Sequence, residues 1–283
     1  MTAGSGPVRL VAVDMDGTFL DTRSDYDRER FARLHRRLQA EQVQFVVASG
    51  NQYWQLRGYF DGFPDVLYIA ENGAVIATAD QVLQVSPFAP DAATAALELV
   101  DSLPGVFNLT CGLRSAYALR TSDPSLVTLM RHYYRRLELV DAWTDIDDTL
   151  VKLALACDAD QTVPLLEHLA VGLPSSVVPV SSGHGSIDLI AGGVNKGVAL
   201  AWLGRRLGIP PEAMIAFGDG GNDVEMLTLA GLGVAMANAP DTVKAYADAV
   251  AGSNEQHGVL AFLEDLLDKH SSTPPGSRHQ GDG

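Results

Sequence analysis

The sequence predicts an α/β protein: a doubly wound, parallel-sheet (Rossmann-like) core with a smaller α/β cap domain inserted into it. Two observations carry this. Short apolar, β-branched runs alternate with amphipathic stretches at both ends of the chain, the pattern of a buried parallel sheet flanked by helices. Between these ends, from about residue 80 to 189, a second and smaller set of strands and helices interrupts the pattern.

The elements follow in order. Residues 9–13 (RLVAV) read as a buried strand. Residues 26–40 read as a helix, with Phe31, Leu34 and Leu38 at helical spacing. A strand at 43–48 (VQFVVA), a short helix at 53–60, a strand at 66–70 and a hairpin opening at 74–77 complete the first segment. In the middle, helices are predicted over 91–103, 124–139 and 162–170, and strands over 116–119, 151–156 and 176–180. The first texture then returns. Helices at 196–207, 223–230, 241–247 and 258–267 alternate with strands at 214–217 and 232–236. The expected division is a discontinuous core of residues 1–79 and 190–270, a cap of 80–189, and a disordered polar tail of 271–283 (SSTPPGSRHQGDG). The first six residues are expected to be disordered too.

Composition narrows the function classes. The chain has 283 residues, 47% of them hydrophobic, enough to bury a sizeable core. With 35 acidic and 20 basic residues the net charge is −15, which disfavours nucleic acid and anionic membranes as partners. Two cysteines, Cys111 and Cys157, form no CxxC pair and no disulfide framework. No export signal or spanning segment is visible, so a cytoplasmic protein is expected.

Four sites fall at predicted strand ends, where open α/β sheets bind ligands. The first is DMDGT: Asp14 and Asp16 lie two residues apart, Gly17 permits a tight turn, and Thr18 offers a hydroxyl and an N–H to an anion. Ser49-Gly50-Asn51 makes a small anion cradle at a helix start. Lys196 sits in the first turn of a helix, against the dipole. GDGGND supplies Asp219, Asn222 and Asp223, oxygen and amide groups suited to Mg²⁺. Singly, these read as an Asp-rich turn, an N-cap and a solvated lysine. Together they supply a nucleophile, an acid–base partner, a phosphate cradle, a cation and a metal site, the set that phosphoryl transfer requires.

These stretches resemble the haloacid dehalogenase-like phosphohydrolases, and more narrowly their Cof-type branch with an α/β cap of type IIB. The matching segments are VAVDMDGTFLD (11–21), VVASGNQYWQL (46–56), YIAENGAVI (68–76), GGVNKGVAL (192–200) and AFGDGGNDVEML (216–227). SGNQY, CGLRSAY (111–117) and IDLIAGGVNKG (187–197) look most like the sugar-phosphate phosphatases. The spacing agrees with this subtype. Residues 19–48 hold one helix and one strand with no room for a cap, whereas residues 51–195 do have room.

The resemblance implies that Asp14 attacks phosphorus and becomes an aspartyl phosphate. It implies that Asp16 protonates the leaving oxygen and later activates water. Mg²⁺ is held by Asp14, the Asp16 carbonyl and Asp219, with Asp223 supporting its waters. Ser49, Gly50, Lys196 and Asn222 hold phosphate oxygens. In the cap, Arg114 and His184 are candidates for reading the leaving group. A helix-borne basic cluster, Arg131, His132, Arg135 and Arg136, is read as a solvated face. The expected activity is a Mg²⁺-dependent phosphatase acting on a small phosphorylated metabolite, with sugar phosphates as the expected class, as a monomer or weak homo-oligomer. A phosphosugar mutase and a non-catalytic phosphate sensor are the alternatives.

Overall fold

The structure, a computed structural model, describes residues 7–183 and 185–271. Of the disorder expected at residues 1–6 and 271–283, Ser271 instead ends the last helix; the rest, and the candidate His184, lie outside the described residues. The chain forms β1 (Leu10–Val13), α1 (Arg28–Ala40), β2 (Gln44–Ala48), α2 (Tyr53–Tyr59), β3 (Leu67–Ala70), β4 (Val75–Ala77) and β5 (Val82–Val85). It continues with α3 (Pro90–Asp101), β6 (Phe107–Gly112), β7 (Ala116–Leu119), α4 (Pro124–Met130), β8 (Leu137–Val140), β9 (Leu150–Ala156), α5 (Thr162–Gly172), β10 (Val177–Gly183) and β11 (Ser186–Ala191). It closes with α6 (Lys196–Leu207), β12 (Met214–Gly218), α7 (Val224–Leu229), β13 (Leu232–Ala235), α8 (Asp241–Lys244), β14 (Ala249–Val250) and α9 (Gly258–Ser271).

Two sheets result. The larger has strand order β14-β13-β12-β1-β2-β3-β4-β5. Its first six strands are parallel, and β4 and β5 form an antiparallel edge. From β1 the chain winds outward through β2 and β3; the later segment winds the other way through β12 and β13. The reversal between β1 and β12 is a topological switch point, which opens a crevice at their carboxyl ends. The smaller sheet has order β10-β11-β9-β6-β7-β8 and is antiparallel except for the β7–β8 pair. The architecture is therefore a Rossmann-like core with a smaller α/β cap. The core sheet continues to Val85 and the cap sheet to Ala191.

Local sequence explains the elements that carry the site. All four residues of β1 are buried, as a central parallel strand requires. Asp27 caps α1 by accepting from the Arg30 N–H at 2.9 Å, and Phe31, Leu34, His35 and Leu38 face the core. α6 ends on Gly208, whose left-handed φ of 65° a side chain would disfavour. An aromatic cluster fills the space beside β1 and β2. Phe31 lies 5.4 Å from Phe19, 5.6 Å from Tyr26, 5.0 Å from Phe45 and 4.9 Å from Phe63. Phe19 directly follows the DMDGT turn, so this cluster also anchors the loop that carries the acidic residues.

One predicted helix is corrected. The expected 124–139 helix stops at Met130, and residues 137–140 pair in parallel with β7 instead. The apolar spacing that suggested a longer helix includes Leu129 and Tyr133, which are 48% and 49% exposed and so mark no buried stripe. Strand pairing and the docking of Arg136 over Trp54, 3.3 Å from the ring centre, override the helical pattern. The basic cluster is therefore split. Arg136 also exchanges two hydrogen bonds with Gln52, joining cap to core. No described helix is long and apolar enough to cross a membrane.

The packing makes a stability prediction. Phe31→Ala should cost about 3–5 kcal/mol in urea unfolding, whereas Leu129→Ala on the exposed face of α4 should change stability by less than about 0.5 kcal/mol.

Candidate active site

Asp14 follows β1 directly, and its N–H donates to the Phe217 carbonyl of β12 at 3.0 Å. The switch point thus sets its position. Gly17 carries the turn beyond it at φ 76°, and a Cβ there would lie 2.3 Å from Asp219 Oδ2. The DMDGT turn can therefore approach the β12 loop only with glycine at this place. Asn238 and Asn254 hold the same turn from outside, donating to the carbonyls of Gly17 and Leu20.

Lys196 is the centre of the cluster. It is 1% exposed, and its Nζ donates to Asp14 Oδ1 and to Asp223 Oδ1, each at 2.6 Å. Its side chain leaves the first turn of α6, which Asn195 caps by accepting from the Val198 N–H at 2.7 Å. Asp223 uses its second oxygen to accept from the N–H groups of Asp219 and Gly220. That bond closes the GDGGND loop and aims Asp219 at the DMDGT turn. One oxygen from each of Asp14, Asp219 and Asp223 lies within 4.8 Å of the others.

The electrostatics follow from this crowding. Burial, and then the neighbouring Asp223, push the Asp14 carboxyl well above the usual carboxylate range, with Lys196 opposing. Burial raises Asp219 to about 6, with Asp223 adding to the rise and the Thr18 hydroxyl opposing it. The two carboxylates hold the Lys196 ammonium protonated against its burial. With all groups ionised, three carboxylates and one ammonium leave a charge of −2. A hard divalent cation fits both that charge and the oxygen donors.

The structure brings most of the predicted residues together. Asp16 sits on the exposed side of the turn, where Asn51 Nδ2 donates to its Oδ2 at 2.6 Å. Ser49 and Gly50 follow β2, and the Asn51 N–H donates to Ser49 Oγ at 3.1 Å. Asn222 Nδ2 donates to Asn72 Oδ1 at 3.0 Å, which draws the 71–73 turn into the site. Thr18 departs from expectation as a phosphate ligand. It is 1% exposed, its hydroxyl donates to Asp219 Oδ1 at 2.7 Å, and its N–H bonds back to Met15. It braces Asp219 rather than facing the cleft. Arg114 pairs within the cap, with Asp147 at 3.6 Å and Asp148 at 3.5 Å.

A family model described as haloacid dehalogenase-like hydrolase matches residues 11–263. The chain belongs to the haloacid dehalogenase-like hydrolases. Among relatives in this family, it is 39% identical over 269 residues to 5-amino-6-(5-phospho-D-ribitylamino)uracil phosphatase YbjI of Escherichia coli, covering 94% of this chain and 98% of that protein. The structure of SMU.1108c from Streptococcus mutans superposes with a TM-score of 0.87 at 35% identity, covering 92% of this chain and 99% of that one. The subclass IIB sugar phosphatase BT4131 shares the fold, with a TM-score of 0.78 at 20% identity and coverage of 92% and 99%. The core-and-cap architecture is thus that of subclass II haloacid dehalogenase-like proteins.

Three further residues join the site through side-chain contacts that spacing along the chain does not show. Asn51 touches Asp16 through its side chain. Asn72 touches Asn222. Lys152, on cap strand β9, reaches Gly50. Asn51 lies in the SGN cradle and Asn72 in the turn after β3, both visible in the sequence, whereas the signal for Lys152 is a lysine inside the apolar run LVKLALA.

Lys196→Ala strands Asp14 beside Asp223. It should lower stability by about 3–5 kcal/mol. Thermal melting should show a divalent cation restoring part of that loss, and restoring less when Asp219→Asn is added.

Proposed function

We propose that this haloacid dehalogenase-like hydrolase is a Mg²⁺-dependent phosphatase of small phosphate monoesters, acting through an aspartyl phosphate on Asp14. One observation carries the reading: a carboxylate at the switch point, gripped by a buried ammonium, with a second carboxylate two residues on and two more facing it.

In this reading a carboxylate oxygen of Asp14 attacks phosphorus, and the bond from phosphorus to the leaving oxygen breaks. Asp16 gives its proton to that oxygen. It then takes a proton from water, whose oxygen attacks phosphorus and releases inorganic phosphate, returning Asp14 as a carboxylate. Asn51 fixes the orientation of Asp16 by holding Oδ2. Ser49, Gly50, Lys196 and Asn222 surround the phosphate. Lys196 favours the ionised form of Asp14 against burial and offsets the approach of two anions.

Asp14, Asp219 and the Asp16 backbone carbonyl would hold Mg²⁺, and Asp223 would orient the group from behind. When bound, the cation neutralises charge between the nucleophile and the phosphate. Thr18 serves the same end by fixing Asp219. The cap would cover the leaving group and choose it. The ribityl phosphate named for the Escherichia coli relative is a primary alkyl phosphate, and we take this class, which includes sugar phosphates, as the first to test.

The experiment is phosphate release from a panel of esters with Mg²⁺: hexose and pentose phosphates, pyridoxal phosphate, flavin mononucleotide and 5-amino-6-(5-phospho-D-ribitylamino)uracil. Turnover should vanish in chelator and return with Mg²⁺. Asp14→Asn should lower kcat by more than about 10³-fold, as loss of a covalent nucleophile does. Release that survives Asp14→Asn would overturn the reading.

A further inference from the structure

Two lysines are almost wholly buried, each 1% exposed: Lys196 in the catalytic cluster, and Lys152 in the cap. Lys152 projects from β9 on the face opposite Val151 and Leu153. Its Nζ lies 2.6 Å from the Gly50 carbonyl, 2.7 Å from Glu71 Oε2 and 3.5 Å from Asp188 Oδ2. A charge carried by the cap is thus inserted between two loops of the core.

We propose that Lys152 is a positioning residue for catalysis: seating its ammonium against Gly50 and Glu71 sets the 49–51 loop and, through Asn51, the acid–base group Asp16. The proposal rests on the phosphatase reading above.

The two loops it joins are already linked. The Glu71 N–H donates to the Asn51 carbonyl and the Asn72 N–H to the Ser49 carbonyl, both at 3.1 Å. The 71–73 turn is strained. Glu71 and Asn72 take left-handed φ values of 51° and 56°, ahead of Gly73 at 102°. Non-glycine residues hold such values only where their surroundings over-determine them. Lys152 supplies one such constraint by pairing with the Glu71 side chain.

The path to Asp16 is short. The Gly50 carbonyl and the Asn51 N–H belong to one planar peptide, so fixing one direction fixes the other. That N–H donates to Ser49 Oγ, and the Asn51 side chain donates to Asp16 Oδ2 at 2.6 Å. Asp188, also from the cap, accepts from Asn72 Nδ2 at 2.6 Å, and Asn72 in turn accepts from Asn222. One cap residue therefore touches the phosphate cradle at Gly50, and another reaches its far side, Asn222, through Asn72.

A joint between cap and core has no need of a buried charge. Apolar groups of similar volume often serve stability as well or better, whereas ionic groups fix one arrangement. An ammonium can donate to the Gly50 carbonyl while facing carboxylates from two other segments, which an apolar side chain cannot do.

The test compares two esters. p-Nitrophenyl phosphate has a leaving group that departs as an anion without help, whereas ribose 5-phosphate, an alkyl ester, needs the proton from Asp16. The readout is kcat/KM, which reports formation of the aspartyl phosphate. For Lys152→Met, kcat/KM should fall about 100-fold on ribose 5-phosphate and about 10-fold or less on p-nitrophenyl phosphate, a gap set by the size of general-acid catalysis. Lys152→Arg should narrow the gap. Circular dichroism melts establish that each variant is folded. If Lys152→Met does not fold, Asn51→Ala decides, since it cuts the same path at its far end without burying a charge. It must show the same discrimination between esters.

Equal losses on both esters, or no loss, would overturn the proposal and leave Lys152 as a joint of the fold. A wild type that releases phosphate from neither ester, nor from the panel above, would instead overturn the phosphatase reading and this inference with it.

Discussion

The Lys196 ammonium between Asp14 and Asp223 is the constraint on which the rest of the site depends. Three carboxylates converge where β1 and β12 end, and without a cation they would repel one another or take up protons. Lys196 reaches them from the buried start of α6, at two contacts of 2.6 Å. Because Asp223 spends its other oxygen on the backbone of 219–220, the same ammonium indirectly holds the loop that presents Asp219. Charge balance and loop geometry are here one problem with one solution.

The arrangement also assigns different tasks to similar residues. Asp14 and Asp223 are buried and paired with an ammonium. Asp219 is partly open and braced by a hydroxyl, and Asp16 is exposed and held by an amide. Position in the fold produces these differences. The end of β1 delivers a buried carboxylate, while the turn beyond it swings Asp16 outward. Gly17 makes that turn possible, since any side chain there would meet Asp219.

Much of this was legible in the sequence because buried parallel strands write a plain signal. RLVAV, VQFVVA and MIAF mark three adjacent strands, and the polar residues just after each fall on one edge of the sheet. The cap was read less well. Its strand β6 is buried at every position, yet Asn108 and Thr110 break the apolar run that marks a buried strand, and the 124–139 stretch mimics a helix until β7 offers Leu137–Val140 a partner. Thr18 was aimed at the phosphate because a hydroxyl after an acidic turn suits an anion; only the packing shows that Asp219 takes it. Lys152 was missed because its partners Gly50, Glu71 and Asp188 are dispersed along the chain, so no spacing rule can connect them.

The strand order has a bearing on how the protein is assembled as it is made. β1 pairs with β2 on one side and β12 on the other. Synthesis delivers β2 soon after β1, but β12 only after the whole smaller sheet has been made. Until then β1 has one open edge, and Asp14 lacks the ammonium at 196. The cap sheet, by contrast, is contiguous in sequence and can pair all its strands while the core waits. A ribosome-bound chain therefore carries an acidic pocket with one wall missing for most of its synthesis, and distant pairing of this kind is a slow step that leaves strand edges exposed to other chains.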